Sequence, residues 1–476
     1  MSPTQLYDPE VITARPTISR VDIKQQRPRP AGGPFKSPKF LAALLVVPSV
    51  LAIFAVMLLS AEMVLGLVGL GNDEYLKIDP IMGLVHLEDK FVDFRLEGFS
   101  KSRISKAGLR DVEHQVAKPS GVTRIAFIGD SKTQGLQVNI PETFVRLVED
   151  KLNADAGKGV SSSTSASPPS APARKRFETI NFGMSTYGVI QYYLEYLTKV
   201  RPYSPDVTVV VYHVFDSTEN LPKYGKQNLP TPTISLNDKD EMSLDFSYLD
   251  TWLDTDGARF LIASEWWRRN CHLFQALSSN DFMLRSNSKW YVNIFEKLLA
   301  PFDGVVKNTL SKASLAQYGD YQAVRKAADD ETRALDKQVS HQSMWPWKVS
   351  ARLVPVSAAD ANAGSAYKVL HDDAAADAFV TGRIMRMLNL ACRKAGSKLV
   401  VVTLPTPNNM VFYFREIECL KKLGKEEGFS VIDANAKFPS LEPMEPTPYY
   451  YRSHFSPARH RLIADTITEG LRPILK

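Results

Sequence analysis

Hydrophobic and polar positions fall into distinct regimes along the 476-residue chain. Residues 1–39 are polar, Pro-rich and short of aromatics, a composition that buries too little apolar surface to fold and predicts a disordered tail. Residues 40–61, FLAALLVVPSVLAIFAVMLLSA, then run for 22 residues without a charge. At about 1.5 Å of rise per residue, a helix of that length crosses the roughly 30 Å hydrocarbon core of a bilayer. A buried core helix would show polar positions at helical spacing, and a signal peptide has a shorter apolar stretch behind a shorter leader. Pro48 fits a spanning helix, where proline is tolerated more readily than in soluble helices. Residues 62–122 follow as a mixed juxtamembrane segment with one turn-like run, ISKAGLRD (104–111).

From Arg124 onward, short apolar runs alternate with amphipathic ones. RIAFIGDS (124–131) reads as a strand, 141–154 as a helix, FETINFG (177–183) as a strand, 188–200 as a helix and DVTVVVYHVF (206–215) as a strand. The Ser/Pro/Ala stretch at 160–176 between them is a flexible loop. Residues 222–375 break the alternation with aromatic pairs (Trp266, Trp267; Trp290, Tyr291; Trp345, Trp347) and mixed helical stretches, an insertion expected to lie over the sheet. The alternation resumes with a helix at 376–395, a strand at 397–405, a helix at 414–428, a strand at 429–434 and a terminal helix at 458–475. This order predicts an α/β domain in two parts, 123–221 and 376–476, built on a mainly parallel sheet with right-handed crossovers.

Charge refines the membrane reading. Seven of the basic residues, against three acids, lie in 1–39, so most of the net charge of +6 belongs to the tail. By the positive-inside rule the tail stays cytoplasmic and everything after residue 62 lies outside the cytoplasm, in the periplasm or extracellular space. No basic stripe with interleaved aromatics points to nucleic acid. The three cysteines, Cys271, Cys392 and Cys419, form neither a CxxC pair nor a metal-ligand spacing; one bridge or three free thiols are both open. There is no HExxH, P-loop or dinucleotide glycine fingerprint, and the acid pairs Asp329–Asp330 and Asp372–Asp373 read as solvated. No metal and no cofactor are expected.

The chemistry concentrates at two places. In IGDSKTQG (128–135) a buried strand runs into a tight turn that carries Ser131, and open α/β folds place their ligands at that carboxyl edge. The backbone N–H groups there can stabilise an oxyanion, while the plain alternative is that Asp130 or Ser131 caps the next helix. Near the other end of the chain, His454 stands in a short loop before the last helix, where it can take the Ser131 proton as general base. His460, one turn into that helix, reads as a packing or capping residue.

These blocks resemble the SGNH (GDSL-type) hydrolase superfamily, in particular its membrane-anchored bacterial-type members. IGDSKTQG is similar to the first block, NFGMSTYG (181–188) to the second, VVVYHVFDSTEN (209–220) to the third and SHFSPARHRLIA (453–464) to the last. The likeness extends to Asp79, Pro80, Gly83 and the run Gly108-Leu109-Arg110-Asp111. It implies a flavodoxin-like three-layer α/β/α domain with esterase or O-acyl transfer activity. Ser131 would be the nucleophile, His454 the base, and the N–H groups of Ser131 and Thr186 the oxyanion donors.

Three positions depart from the family pattern. Thr186 stands where the family has glycine, although its N–H remains. Phe215, beside Asp216, stands where the family has an asparagine donor; Asn220 or His213 would have to replace it. Arg452 stands two residues before His454, where the family has its acid, which leaves Asp433 or Glu445 to orient the ring. The expected function is a membrane-anchored esterase acting on O-acyl groups, with an acylated carbohydrate as substrate. An O-acyltransferase or accessory in surface polysaccharide modification, and an inactive glycan- or partner-binding domain, are the alternatives.

Overall fold

The computed structural model describes residues 38–68, 74–95, 97–158, 176–213, 230–278, 315, 318–342, 353–355, 367–369, 373–404, 411–434, 450–451 and 454–476. The chain parts into two units at Ser60/Ala61. The first helix, α1 (Pro38–Val68), runs past the predicted end of the apolar span. Within it Val46–Val68, with a mean hydropathy of 2.4, is long and apolar enough to cross a membrane.

The larger unit is α/β. Five parallel strands, β1 (Val122–Gly129), β2 (Arg176–Asn181), β3 (Val207–Tyr212), β4 (Lys398–Thr403) and β5 (Ser430–Asp433), form one sheet in the order β5-β4-β3-β1-β2. This is the flavodoxin-like order, whose switch point between β1 and β3 opens a crevice beyond the strand ends. The strands read as near-continuous apolar runs because both faces are covered. Ile125, Phe127, Val209, Val211, Val400 and Val402 point into one core. Their neighbours Ala126, Ile128, Val210, Tyr212, Leu399 and Val401 point into the other.

The first core is closed by α3 (Phe144–Lys158) and α8 (Pro457–Leu471), through Val145, Val148, Ile463 and Ile467. The second is closed by α4 (Val189–Glu195), α6 (Asp373–Lys394) and α7 (Val411–Glu427), through Ile190, Tyr193, Ile384, Leu388 and Leu420. The helix expected from residue 141 begins at Phe144, because Thr143 is extended (ψ 144°) after a short 3₁₀ turn at Ile140–Glu142.

Two parts differ from the simple alternation. The juxtamembrane segment folds as two antiparallel hairpins, Leu76–Asp79 with Gly83–His86 and Phe91–Phe94 with Ser100–Arg103. Ile78, Met82, Leu84 and Leu109 join the second core. The described part of the insertion packs against the helices on that same face. Its helix α5 (Tyr321–Asp336) meets α6 through a buried pair, with Arg383 Nη2 donating to Asp336 Oδ2 at 2.6 Å. All three cysteines are free thiols.

Candidate active site

β1 ends at Gly129, and the chain turns at once into the four-residue helix α2 (Ser131–Gln134). A Cβ at position 129 would stand 2.2 Å from Thr133 Oγ1 and 3.1 Å from the Val211 side chain, so this turn requires glycine. Both readings of the stretch hold together. Asp130 caps α2, its carboxylate accepting the Lys132 N–H at 2.9 Å, and this leaves Ser131 as the first helical residue. Its N–H therefore has no intrahelical acceptor. Burial alone would raise the Asp130 carboxyl. Lys132 beside it, His213, the Lys132 N–H and His454 together hold it below the ordinary aspartate value.

His454 begins a two-residue strand paired with Tyr450–Tyr451. Phe455, buried in the first core, and Ser456, which caps α8, fix the backbone on its C-terminal side. The ring reaches Ser131, with Nε2 2.9 Å from Oγ. Its other nitrogen, Nδ1, is bonded to a carboxylate oxygen of Glu97, 357 residues away in sequence. A hydroxyl, an imidazole and a carboxylate are thus joined in line.

Glu97 sits in the loop between Phe91–Phe94 and Ser100–Arg103, where Gly98 adopts φ 69°. The hairpin is tied down beside its loop: Ser100, paired with Phe94 at the loop end of the strands, donates its Oγ hydrogen to Leu136 O just beyond α2. The buried Arg110 guanidinium donates to Gln134 O at 2.9 Å and Val138 O at 2.5 Å. Neighbouring Asp111 accepts the Asn181 N–H at 2.8 Å, at the end of β2. The Gly108–Asp111 run therefore holds the loops of the site together.

The second-block loop lies directly against α2. A Cβ on Gly183 would stand 2.4 Å from Gln134 N, so only glycine allows this approach. Asn181 stitches the two segments, donating to Thr133 O at 2.9 Å while its oxygen accepts the Gly183 N–H at 2.9 Å. Ser185 Oγ donates to Gln134 Oε1, and Gln134 Nε2 donates to His86 Nε2 at 2.5 Å. His86 in turn directs Nδ1 to Gly108 O at 2.8 Å. Next in this braced loop, Thr186 takes φ 75°, a region that disfavours β-branched side chains and suits glycine.

The remaining candidates separate. Asp433 is not the acid on His454: Lys421 Nζ takes its Oδ2 at 2.9 Å and Thr403 Oγ1 donates to its Oδ1 at 3.3 Å. His213 is buried just after β3. Phe215, Asp216, Asn220, Glu445 and Arg452 lie outside the described residues. His460 is structural: its Nδ1 accepts the Phe144 N–H at 3.2 Å, and its ring stacks on Phe144 at 5.5 Å between centroids. Burial, with the charges of Arg110 and His454 adding to it, pushes its pKa down to about 3.

A cavity of about 210 Å³ lies behind the second-block loop, lined by residues including Lys77, His86, Met184, Glu195 and Lys199. Neither Ser131 nor His454 lines it, so it is not where the reaction would occur. Glu97 was missed by the sequence reading because its segment looked like a connector. The available signal was Gly98 between two short runs, FVDF and SKSR, which marks a hairpin with one acid near its tip.

No family model and no curated protein matches the chain. Among solved structures it is similar to TesA, at 8% identity over 74% of this chain and 99% of that one, with a TM-score of 0.31. It is also similar to a catalytic mutant of an acetylxylan esterase from Geobacillus stearothermophilus, at 10% identity over 74% and 94%, with a TM-score of 0.31. A third is an α/β hydrolase from the metagenome of Lake Arreo, Spain, at 9% identity over 73% and 94%, with a TM-score of 0.30. At these scores the likeness carries no argument about chemistry, which rests on the residues of the site.

Proposed function

We propose that this chain is a membrane-anchored serine esterase of the SGNH type, with Ser131 as nucleophile, His454 as general base and Glu97 as the orienting acid. The observation that supports it is the unbroken line from Ser131 Oγ through His454 Nε2, at 2.9 Å, to Glu97 on Nδ1. A carboxylate on Nδ1 keeps that nitrogen protonated and leaves the Nε2 lone pair facing the hydroxyl.

His454 takes the Ser131 proton as Oγ attacks the ester carbonyl. The tetrahedral oxyanion faces the N–H groups of Ser131 and Thr186. Collapse expels the alcohol, which receives the proton from His454, and leaves an acyl-enzyme that water hydrolyses by the same steps. Glu97 offsets the imidazolium charge in both halves of the reaction.

The substrate class we infer is an O-acyl ester of carbohydrate. Anchored by α1 with its basic tail in the cytoplasm, the domain faces the cell surface, where acylated polysaccharide is met. An O-acyltransferase would use the same acyl-enzyme and differ only in its acceptor. Labelling with a fluorophosphonate probe tests the shared step: the wild-type chain should label, and Ser131→Ala should not. Folded protein that does not label would remove the enzyme reading and leave an anchored binding domain. Released acid against acylated acceptor, measured on an acetylated oligosaccharide, separates hydrolase from transferase.

A further inference from the structure

Large apolar side chains that the core has not absorbed gather around the C-terminal end of α1. Met63 and Leu67 project outward on α1 itself. The short helix Glu265–Asn270 carries Trp266 and Trp267, 62% and 53% exposed and packed edge to face at 4.9 Å. The hairpin that carries Glu97 adds Phe91 and Phe99, also exposed.

These groups are held in place rather than left loose. Arg268 is buried, with Nη1 donating to Glu74 at 2.9 Å and Leu76 O at 3.1 Å. Arg269 donates to Glu88 O at 2.8 Å. With both arginines drawn into the domain, the two tryptophans face out. The corner that follows clasps the end of the apolar span: Glu62 accepts the N–H groups of His272 and Leu273, each at 2.7 Å. On the hairpin, Arg95 and Lys101 lie 5.8 and 5.9 Å from the Phe99 ring, and Arg95 Nη2 donates to Val68 O at 3.5 Å.

Exposed tryptophan is the residue type that belongs at a membrane–water interface, where its ring is in the apolar edge and its N–H stays wet. Beside Phe99, Arg95 and Lys101 share the single carboxylate of Asp93, at 2.7 and 3.7 Å, so the pair keeps a net positive charge that fits anionic headgroups. The face is also continuous with the outer turns of α1. We propose that it docks onto the lipid headgroup layer of the bilayer that α1 enters. The occupant is lipid, and the inference rests on the reading of α1 as a membrane anchor. Glu97 is two residues from Phe99, so docking also seats the loop of the orienting acid at the membrane surface. The site would then open beside the lipid boundary, toward esters presented there.

The test uses the full chain reconstituted into phosphatidylcholine–phosphatidylglycerol vesicles, with and without acyl chains brominated near the headgroup. Flotation is scored first, then tryptophan emission. Trp266 and Trp267 are two of the six tryptophans of the chain, so brominated lipid should quench a share of up to about a third through this pair. That share should be lost in a Trp266→Phe/Trp267→Phe variant, which keeps the aromatic bulk and so the fold. Flotation with equal quenching in wild type and variant overturns the docking face alone. Failure to float overturns the anchor, and the docking face with it.

Discussion

Neutralising Glu97 is the sharpest perturbation of the site. Its carboxylate meets His454 Nδ1, and the two side chains are 17% and 21% exposed. A hydrogen bond to a charged group is worth about 1.5–3 kcal/mol, and removing the charge of the buried triad aspartate of a serine protease costs about 10⁴ in kcat. Here water reaches part of the pair and screens it, so the expected loss for Glu97→Gln is about 2–4 kcal/mol, or roughly 30- to 1,000-fold in kcat/KM. Glutamine adds a second fault. Its amide N–H can donate to Nδ1, which moves the ring proton to Nε2, facing Ser131, where it blocks proton acceptance. Glu97→Ala should therefore lose no more than Glu97→Gln. The assay is p-nitrophenyl acetate hydrolysis by the detergent-solubilised full chain, with fluorophosphonate labelling rate as a second reading of nucleophile activation. Asp433→Asn is the control and should leave both unchanged, because Lys421 and Thr403 hold that carboxylate. The reasoning fails if Glu97→Gln keeps kcat/KM within about threefold of wild type, which is under ~0.7 kcal/mol, or if Asp433→Asn proves the costlier change.

Thr186→Gly should stabilise the fold by roughly 0.5–1 kcal/mol, since glycine removes a positive-φ penalty of about 1–2 kcal/mol and returns part of it as chain entropy. The N–H is retained, so activity should hold or rise; a lower melting temperature would count against the strained-loop reading. Stability should also depend on pH through Glu195, whose buried carboxyl is raised to about 8 by burial against the opposing pull of Lys199. A raised carboxyl favours the folded state below its unfolded value of 4.5 and loses that contribution as pH rises to about 8. The slope is about 1.4 kcal/mol per pH unit. His86 and His460, pushed down to about 4 and about 3 chiefly by burial, act in the opposite sense and lose stability as pH falls below 6.5. Glu195→Gln removes only the first contribution. The gap between the variant and wild type in denaturant midpoint should widen between about pH 5 and pH 8 and then level off; a constant gap would refute the buried-acid account.

Features that repeat along the chain were legible in the sequence. Apolar runs such as Val209–Tyr212 fix buried parallel strands, because a sheet covered on both faces admits no polar alternation. A charge-free run long enough to span a bilayer was equally plain in residues 40–61. Ser131 and His454 could be marked because each stands at a junction, one at a strand-to-helix turn and the other just before a terminal helix. The pairing of charges left no such trace. Asp433, at the end of β5, looked as eligible as any acid until the fold gave it to Lys421. Glu97 comes from a segment that resembled a tether, and becomes the partner of His454 only because the Phe91–Arg103 hairpin is fastened beside α2. Thr186 occupies a glycine-like conformation because Gly183 and Ser185 hold its loop against Gln134. Secondary structure records itself in the sequence through the period of its burial. The meeting of a carboxylate and an imidazole 357 residues apart depends on distance alone, and distance exists only once the chain is folded.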